Sequence, residues 1–378
     1  MAITENTSAF LALVRAGLWE EAPGEALPGA CPEWGETVDF GEVFRLAEEQ
    51  AVVGLVAAGL EHFVGARIPK ADALAFGATA LQIERRNVAM NRFVGSLVER
   101  LRAAGIVFAL VKGQGVAQCY TRPLWRASGD IDLLLDAANY LKAKELLAPL
   151  AREVEPEAVD VLHQGLVLDR WLVELHGTLR SGVLPRMDRV VDRVQASVLL
   201  GDVRFWQNGE ACVPLPGADG DIILIFTHLV KHFVQGGVGL RQVCDWCRLL
   251  WTFRDTLDRG LLEARLREAG LLAEWRAFAA LAVRWLGMPA EAMPLYSPSA
   301  CWRRKADRIL ARILQTGNFG RKRDTSYQTR YPRLVRKTIS FWRHMMDCAR
   351  LFAIFPYDAL AVWWRTLVRG LAAVFSGA

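Results

Sequence analysis

Apolar residues recur at helical spacing from about Phe40 to Ala104, with a break near Gly65-Ala-Arg-Ile-Pro69. That pattern predicts two or three helices, with a long one ending at Gly105. Residues 106 to 180 then hold every convincing strand. A short continuous apolar run covers residues 106 to 111, followed by a helix near Gln114 to Cys119, a strand at Ile131 to Leu135 and a helix from Ala137 to Leu150. Strands near Val161 to Leu168 and Trp171 to His176 complete a small mixed sheet with helices on one side. A stretch rich in Gly and Pro around Asn208 to Gly220 reads as a linker, and the remainder is mostly helical. The predicted class is α+β, predominantly helical, with a small mixed β-sheet core flanked by N-terminal and C-terminal helical regions. The expected boundaries are 1–104, 105–207, 208–300 and 301–378.

The strand after Gly129 carries the chemistry. Side chains alternate along a strand, so Asp130 and Asp132 share one face of Asp130-Ile131-Asp132-Leu133, while Ile131 and Leu133 face the core. Two adjacent carboxylates repel each other, and a divalent cation between them is the main reason to keep such a pair. Hard oxygen ligands on one edge suit Mg²⁺ that also holds substrate phosphates, with Mn²⁺ as a substitute. The competing reading, a turn entering a strand with both acids solvated, is weakened by the surroundings. Upstream, the apolar run leads into Lys112-Gly113-Gln114-Gly115, where glycines allow a phosphate to approach the backbone and the next helix offers free N–H groups. Downstream, Glu174 and His176 share a face of Trp171-Leu172-Val173-Glu174-Leu175-His176, which makes a third carboxylate available.

The stretch from Lys112 through Arg126 to Gly129-Asp130-Ile131-Asp132-Leu133-Leu134-Leu135 resembles the motif of the bacterial uncharacterised nucleotidyltransferases, a branch of the DNA polymerase β-like superfamily. His228-Leu-Val-Lys231-His232-Phe and Gly239-Leu-Arg241-Gln-Val-Cys-Asp245-Trp246 resemble this family's second, helical signature, and the similarity covers most of residues 8 to 290. The resemblance implies a Mg-dependent enzyme that moves an NMP group from a nucleoside triphosphate, ATP among them, to an acceptor hydroxyl with release of pyrophosphate. It implies Asp130, Asp132 and Glu174 as metal-binding catalytic carboxylates. Residues 105–207 become the nucleotidyltransferase core and 208–300 a nucleotide- or acceptor-binding region. Nucleotide-binding candidates are Lys112, Gly113, Arg126, Gly129, His176, His228, Lys231 and Arg241. Lys112-Gly113 stands where the superfamily has Gly-Ser, so the task of that Ser in holding the triphosphate falls to Lys112, Arg126 and backbone N–H groups.

Several patterns carry a structural reading beside the functional one. His176 fits either a hydrogen bond to a ligand carboxylate or a satisfied core histidine. Glu174 fits a structural pair with an arginine such as Arg180. Arg241 and Asp245, four apart on a helix, fit a salt bridge or an Arg241 presented to phosphate. His228 and His232 have metal-sharing spacing but lack the glutamate of a His-Glu-x-x-His zinc site. Neither a Walker loop nor a His-Arg-Asp loop is present, which excludes the common kinase sites.

Composition fits a globular enzyme: 378 residues, 52% hydrophobic and 23% charged. The amino terminus lacks a basic region followed by an apolar stretch, so a cytoplasmic location is expected. Seven scattered cysteines argue against a disulfide framework, and Cys244-x-x-Cys247 reads as buried thiols because no second pair completes a zinc site. Charge is segregated, with 14 Lys or Arg against three Asp between Cys301 and Arg350. Such a region fits a solvated helical face or a surface for an anionic partner. It lacks a recognised nucleic-acid module, so a small molecule, saccharide or peptide is the expected acceptor rather than nucleic acid. From Leu351 to Arg365 the chain is apolar and aromatic, but Pro356, Asp358 and Arg365 interrupt it below the roughly 20 residues a spanning helix needs. It reads as an amphipathic helix, packed on its own protein or making peripheral membrane contact. The alternative function is a catalytically idle nucleotidyltransferase-like module that binds a partner protein or membrane surface.

Overall fold

Thr4 accepts a hydrogen bond from the Thr7 amide and opens α1 (Glu5–Leu18), and Asp39 caps α2 (Phe40–Glu49) through Gly41 and Glu42. The computed structural model describes residues 4–20, 37–63, 68–182, 184–318, 333–360 and 363–364. Gly65 to Arg67, Cys31 and the basic stretch 319–332 lie outside the described residues, as does most of the chain after Leu360. The expected helical run resolves into α2, α3 (Val53–Leu60) and the 34-residue α4 (Lys70–Ala103), whose last turn carries Arg100 and Arg102 where the helix dipole favours cations. Backbone contact is close where α3 meets the turn at 123–125: a Cβ on Gly54 would stand 2.0 Å from the Trp125 carbonyl oxygen. That contact holds the segment that leads to Arg126.

Five strands form the main sheet: β1 (Ala109–Val111), β2 (Asp130–Leu134), β3 (Glu153–Val154), β4 (His163–Leu168) and β5 (Trp171–His176), in the order β1-β2-β5-β4-β3. The sheet is mixed, because β2 and β5 run parallel and the other neighbours antiparallel. Only the last half of the expected strand at 106 to 111 pairs as β1. Between β1 and β2 lies the short α5 (Gly113–Ala117), and after β2 comes α6 (Ala137–Leu147), capped by Asp136. One face of the sheet is apolar. Ile131, Leu133, Val173 and Leu175 pack there with Met90, Val94, Leu97 and Leu101 of α4 and with Tyr140, Ala143 and Leu147 of α6.

The sequence places a linker at Asn208 to Gly220, and the structure corrects that reading. After α7 (Pro185–Leu199), residues Val203–Asn208 (β6) and Ala211–Pro216 (β7) form an antiparallel hairpin. Pro214 and Pro216 fit there because a two-stranded ribbon leaves outward N–H positions without a ladder partner. Val213 and Leu215 of β7 join the core under the sheet. The helical remainder comprises α8 (Ala218–Gln235), α9 (Leu240–Thr252), α10 (Arg259–Ala269), α11 (Leu272–Leu286), α12 (Ala300–Thr316) and α13 (Arg333–Phe352). Phe226 of α8 meets Trp246 of α9 and Trp275 of α11 with ring centroids 5.3 and 4.7 Å apart, at the centre of the larger core. Cys244 and Cys247 are free thiols buried there, and burial pushes both thiols up, as expected of inert packing groups.

Leu351, Ile354, Phe355 and Ala359 are buried in the same core, so the apolar carboxy-terminal stretch packs on its own protein at these positions. No helix among the described residues is long and apolar enough to cross a membrane.

Candidate active site

Strand alternation and parallel pairing build the site. Asp130 and Asp132 project from one face of β2, and Glu174 of β5 is the direct register partner of Asp132. One candidate ligand oxygen from each of the three carboxylates lies within 4.8 Å of the others. The face opposite holds Ile131 and Leu133 in the core, so burial of the apolar set aims the acidic set outward.

Neighbouring basic groups offset this concentration of charge. Lys112 Nζ donates to Asp132 Oδ1 at 2.8 Å, and His176 Nε2 lies 2.8 Å from the same oxygen. His176 Nε2 also stands 3.3 Å from Glu174 Oε2, and His163 Nε2 approaches that oxygen at 3.5 Å. Burial disfavours the ionised Asp132, but Lys112 and His176 outweigh it and hold the carboxyl below the usual range. The imidazoles of His163 and His176 hold Glu174 well below that range. Asp130 differs: burial, with repulsion from Asp132 and Glu174, pushes its carboxyl up. Among the described residues Asp130 has no ion pair. Arg180, which charge alone offers as a partner for Glu174, is instead bound to Asp192 at 2.5 Å.

Lys112 reaches Asp132 from an unusual backbone. Its φ of 59° and ψ of −144° lie where side chains are strained, and Gly113 follows with φ of 35°. The turn ends β1 abruptly and brings Lys112 and Gly113 to the carboxylate face.

These groups form one wall of a cleft of about 310 Å³. The opposite wall comes from α8 and α9, with Ile225, His228, His232, Arg241, Gln242 and Asp245. Burial and the nearby Lys112 push His228 well below its ordinary value, while burial and Lys231 bring His232 down to about 4, so both imidazoles are neutral at neutral pH. Their ring centroids are 4.3 Å apart, and among the described residues no third ligand joins them as a metal group. Lys231 lines an adjoining pocket of about 40 Å³ with His176, Thr178 and Arg180. Burial and Lys112 lower its affinity for a proton.

Arg126 takes a place the sequence did not foresee. Its fork binds Asp245, Nε to Oδ1 at 2.9 Å and Nη2 to Oδ2 at 2.6 Å, and Nη1 donates to Ser128 Oγ at 2.8 Å. Tyr120 Oη donates to Asp245 Oδ1 at 2.7 Å. Asp245 is therefore committed to Arg126 and Tyr120, and Arg241 is left to donate from Nη1 to the Ala127 carbonyl at 2.6 Å. The buried Nε of Arg241 has no hydrogen-bond partner, which makes Arg241 the open guanidinium of the cleft. Gly129 is exposed before β2 and is not part of the cleft wall. Asn87 of α4 is fully buried and holds the connecting segment, donating to the Leu124 and Arg126 carbonyls at 2.7 and 2.8 Å.

The donor chemistry fits a hard divalent cation: three convergent carboxylates, two of them held ionised, with Asp130 crowded by like charge and without an ion pair among the described residues. Asp130, Asp132 and Glu174 are the residues that would hold it.

No curated protein and no solved structure matches this chain. A family model described as "Uncharacterised nucleotidyltransferase" matches residues 36–287, a span that contains every residue of the cleft described above. With two thirds of its length under that match, the chain belongs to the uncharacterised nucleotidyltransferase family.

Proposed function

We propose that this protein transfers an NMP group from a nucleoside triphosphate to an acceptor hydroxyl, releasing pyrophosphate, with Mg²⁺ or Mn²⁺ held by Asp130, Asp132 and Glu174. The observation that carries this reading is the convergence of those three carboxylates within 4.8 Å on a cleft whose far wall presents Arg241 and two histidines. A metal bound there would neutralise phosphate charge and lower the pKa of the acceptor hydroxyl. The acceptor oxygen attacks the α-phosphorus, its bond to pyrophosphate breaks, and the acceptor proton leaves to a base.

The residues divide this work by their charge state. The two imidazoles hold Glu174 below the usual carboxylate range, which suits it to ligation, because a carboxylate with a depressed pKa is a poor proton acceptor. Asp130, pushed up, is the better place for a proton. Lys112 keeps Asp132 ionised and adds positive charge beside the phosphates. Arg241, Lys231 and His228 are proposed to hold the triphosphate or the acceptor. Arg126 acts through the wall it braces against Asp245, since its fork is already occupied. An idle binding module would have no physical use for three carboxylates held against one another.

Incubation with Mg²⁺, mixed triphosphates and candidate small-molecule, saccharide and peptide acceptors tests the reading by mass spectrometry. An acceptor heavier by one NMP, with pyrophosphate released by wild type and not by Asp132→Asn, is expected. Nucleotide binding that is equal in both proteins, without pyrophosphate from either, would overturn it in favour of a binding module.

A further inference from the structure

We propose that His163, Glu174 and His176 form a second metal site, for a divalent transition ion of the Zn²⁺ or Mn²⁺ type, on the flank of the acidic cleft. The site follows from register. β4 and β5 are antiparallel neighbours in which His163 stands directly opposite His176, and Glu174 lies two residues from His176 on the same strand. All three side chains therefore share one face of the sheet. The imidazole centroids are 4.8 Å apart, and one ligand atom from each of the three residues lies within 4.8 Å of the others.

The same nitrogen of each ring turns to the same oxygen. Nε2 of His163 and Nε2 of His176 stand 3.5 and 3.3 Å from Glu174 Oε2. Charge-assisted N–H···O bonds normally close to about 2.7–2.9 Å. His176 Nε2 also lies 2.8 Å from Asp132 Oδ1, so an ion held here would take that nitrogen in exchange for the contact to Asp132, while His163 Nε2 and Glu174 Oε2 stand at the spacing that ligands take around one ion. The side chains are 32%, 21% and 11% exposed for His163, Glu174 and His176, so solvent and metal reach them.

The donor types set the ion class. Imidazole with carboxylate suits Zn²⁺, Mn²⁺ or Co²⁺, whereas the all-oxygen set of Asp130, Asp132 and Glu174 suits Mg²⁺. Glu174 belongs to both groups, so an ion held here and one held by the aspartates would share that carboxylate.

The experiment uses the full chain, stripped with chelator and titrated with Co²⁺ and then Zn²⁺. Visible absorption of bound Co²⁺ that Zn²⁺ displaces is expected, with one Zn²⁺ retained through gel filtration. His163→Ala and His163→Gln should each weaken Zn²⁺ binding by roughly tenfold or more, and Asp130→Asn should leave it in place. Circular dichroism checks that the variants fold, which the half-exposed position of His163 favours. Zn²⁺ binding unchanged in both His163 variants would overturn the proposal. So would loss of Zn²⁺ in Asp130→Asn alone, or the intense Co²⁺–thiolate absorption of a cysteine site.

Discussion

Arg126 and Asp245 stand 119 residues apart in the chain and meet through two parallel contacts, at 2.9 and 2.6 Å, with both side chains 6% exposed. The pair ties the segment before β2 to α9 and so fixes the distance between the two walls of the cleft. Removing one partner strands a buried charge, whereas removing both removes the desolvation cost as well.

Arg126→Ala should therefore lower the unfolding free energy by about 3–5 kcal/mol, and Arg126→Lys should recover only part of it, because an ammonium cannot span both oxygens. The double variant Arg126→Met with Asp245→Leu should lose less than either single change. Urea unfolding curves measure these three together with Arg126→Met and Asp245→Leu alone; a double variant as unstable as the sum of those two singles would contradict the pairing argument.

The two aspartates of β2 should respond in opposite directions. Asp130 is crowded by like charge, so Asp130→Asn should raise the melting temperature of the metal-free protein. Asp132 partners Lys112 and His176, so Asp132→Asn should cost about 1–3 kcal/mol. Both should lower pyrophosphate release by about 10²-fold or more. Calorimetry and a pyrophosphate assay on the same preparations separate the two effects.

Glu274 of α11, which does not line the cleft, gives a pH dependence of stability. It is buried beside Asp358, and burial together with that neighbour pushes its carboxyl up to about 9. The folded value lies above the unfolded value of 4.5, so between them the native state binds more protons than the unfolded chain. Stability is then full below about pH 4.5 and falls as pH rises toward 9. Glu274→Gln should flatten that decline in melting temperature; an unchanged slope would refute the assignment.

Gly54 tests the support of the Arg126 segment from the other side. A methyl group there would meet the Trp125 carbonyl oxygen at 2.0 Å, a backbone atom that cannot rotate away. Gly54→Ala should destabilise by about 1–3 kcal/mol. Its urea midpoint should fall while the same change at the unobstructed Gly77 leaves the midpoint near wild type or above it.

What could be read from the chain was what alternation and local turn chemistry determine. The strict period of two in Asp130-Ile131-Asp132-Leu133 placed both carboxylates on one face, and Glu174 with His176 followed the same rule on β5. The long α4 and its end before Gly105 were equally plain in the apolar period. The family resemblance seen in the Lys112 to Leu135 motif agrees with the match over residues 36–287.

What could not be read depended on docking between distant elements. Arg126 offers a phosphate-binding fork in sequence, and only the placement of α9 shows that Asp245 already occupies it. Arg241 has Asp245 one helical turn away, yet points its Nη1 to Ala127 instead. His163 did leave a usable signal in the chain, although the strand pattern alone does not single it out. A two-residue turn, Asp169-Arg170, joins β4 to β5, and counting back from it sets His163 opposite His176. The hairpin of β6 and β7 was hidden by Pro214 and Pro216, although Asn208-Gly209 marks its turn.

The parallel pairing of β2 with β5 makes the arrangement intolerant of length change in a way that substitution does not test. Shifting β2 by a single residue would drive Ile131 and Leu133 into water and Asp130 and Asp132 into the apolar layer under α4 and α6, and the same shift in β5 would exchange Val173 and Leu175 with Glu174 and His176. The grease beneath the sheet thus enforces the alignment of the acids above it. Deleting one residue within β2 or β5 should abolish folding outright, long before any question of chemistry arises.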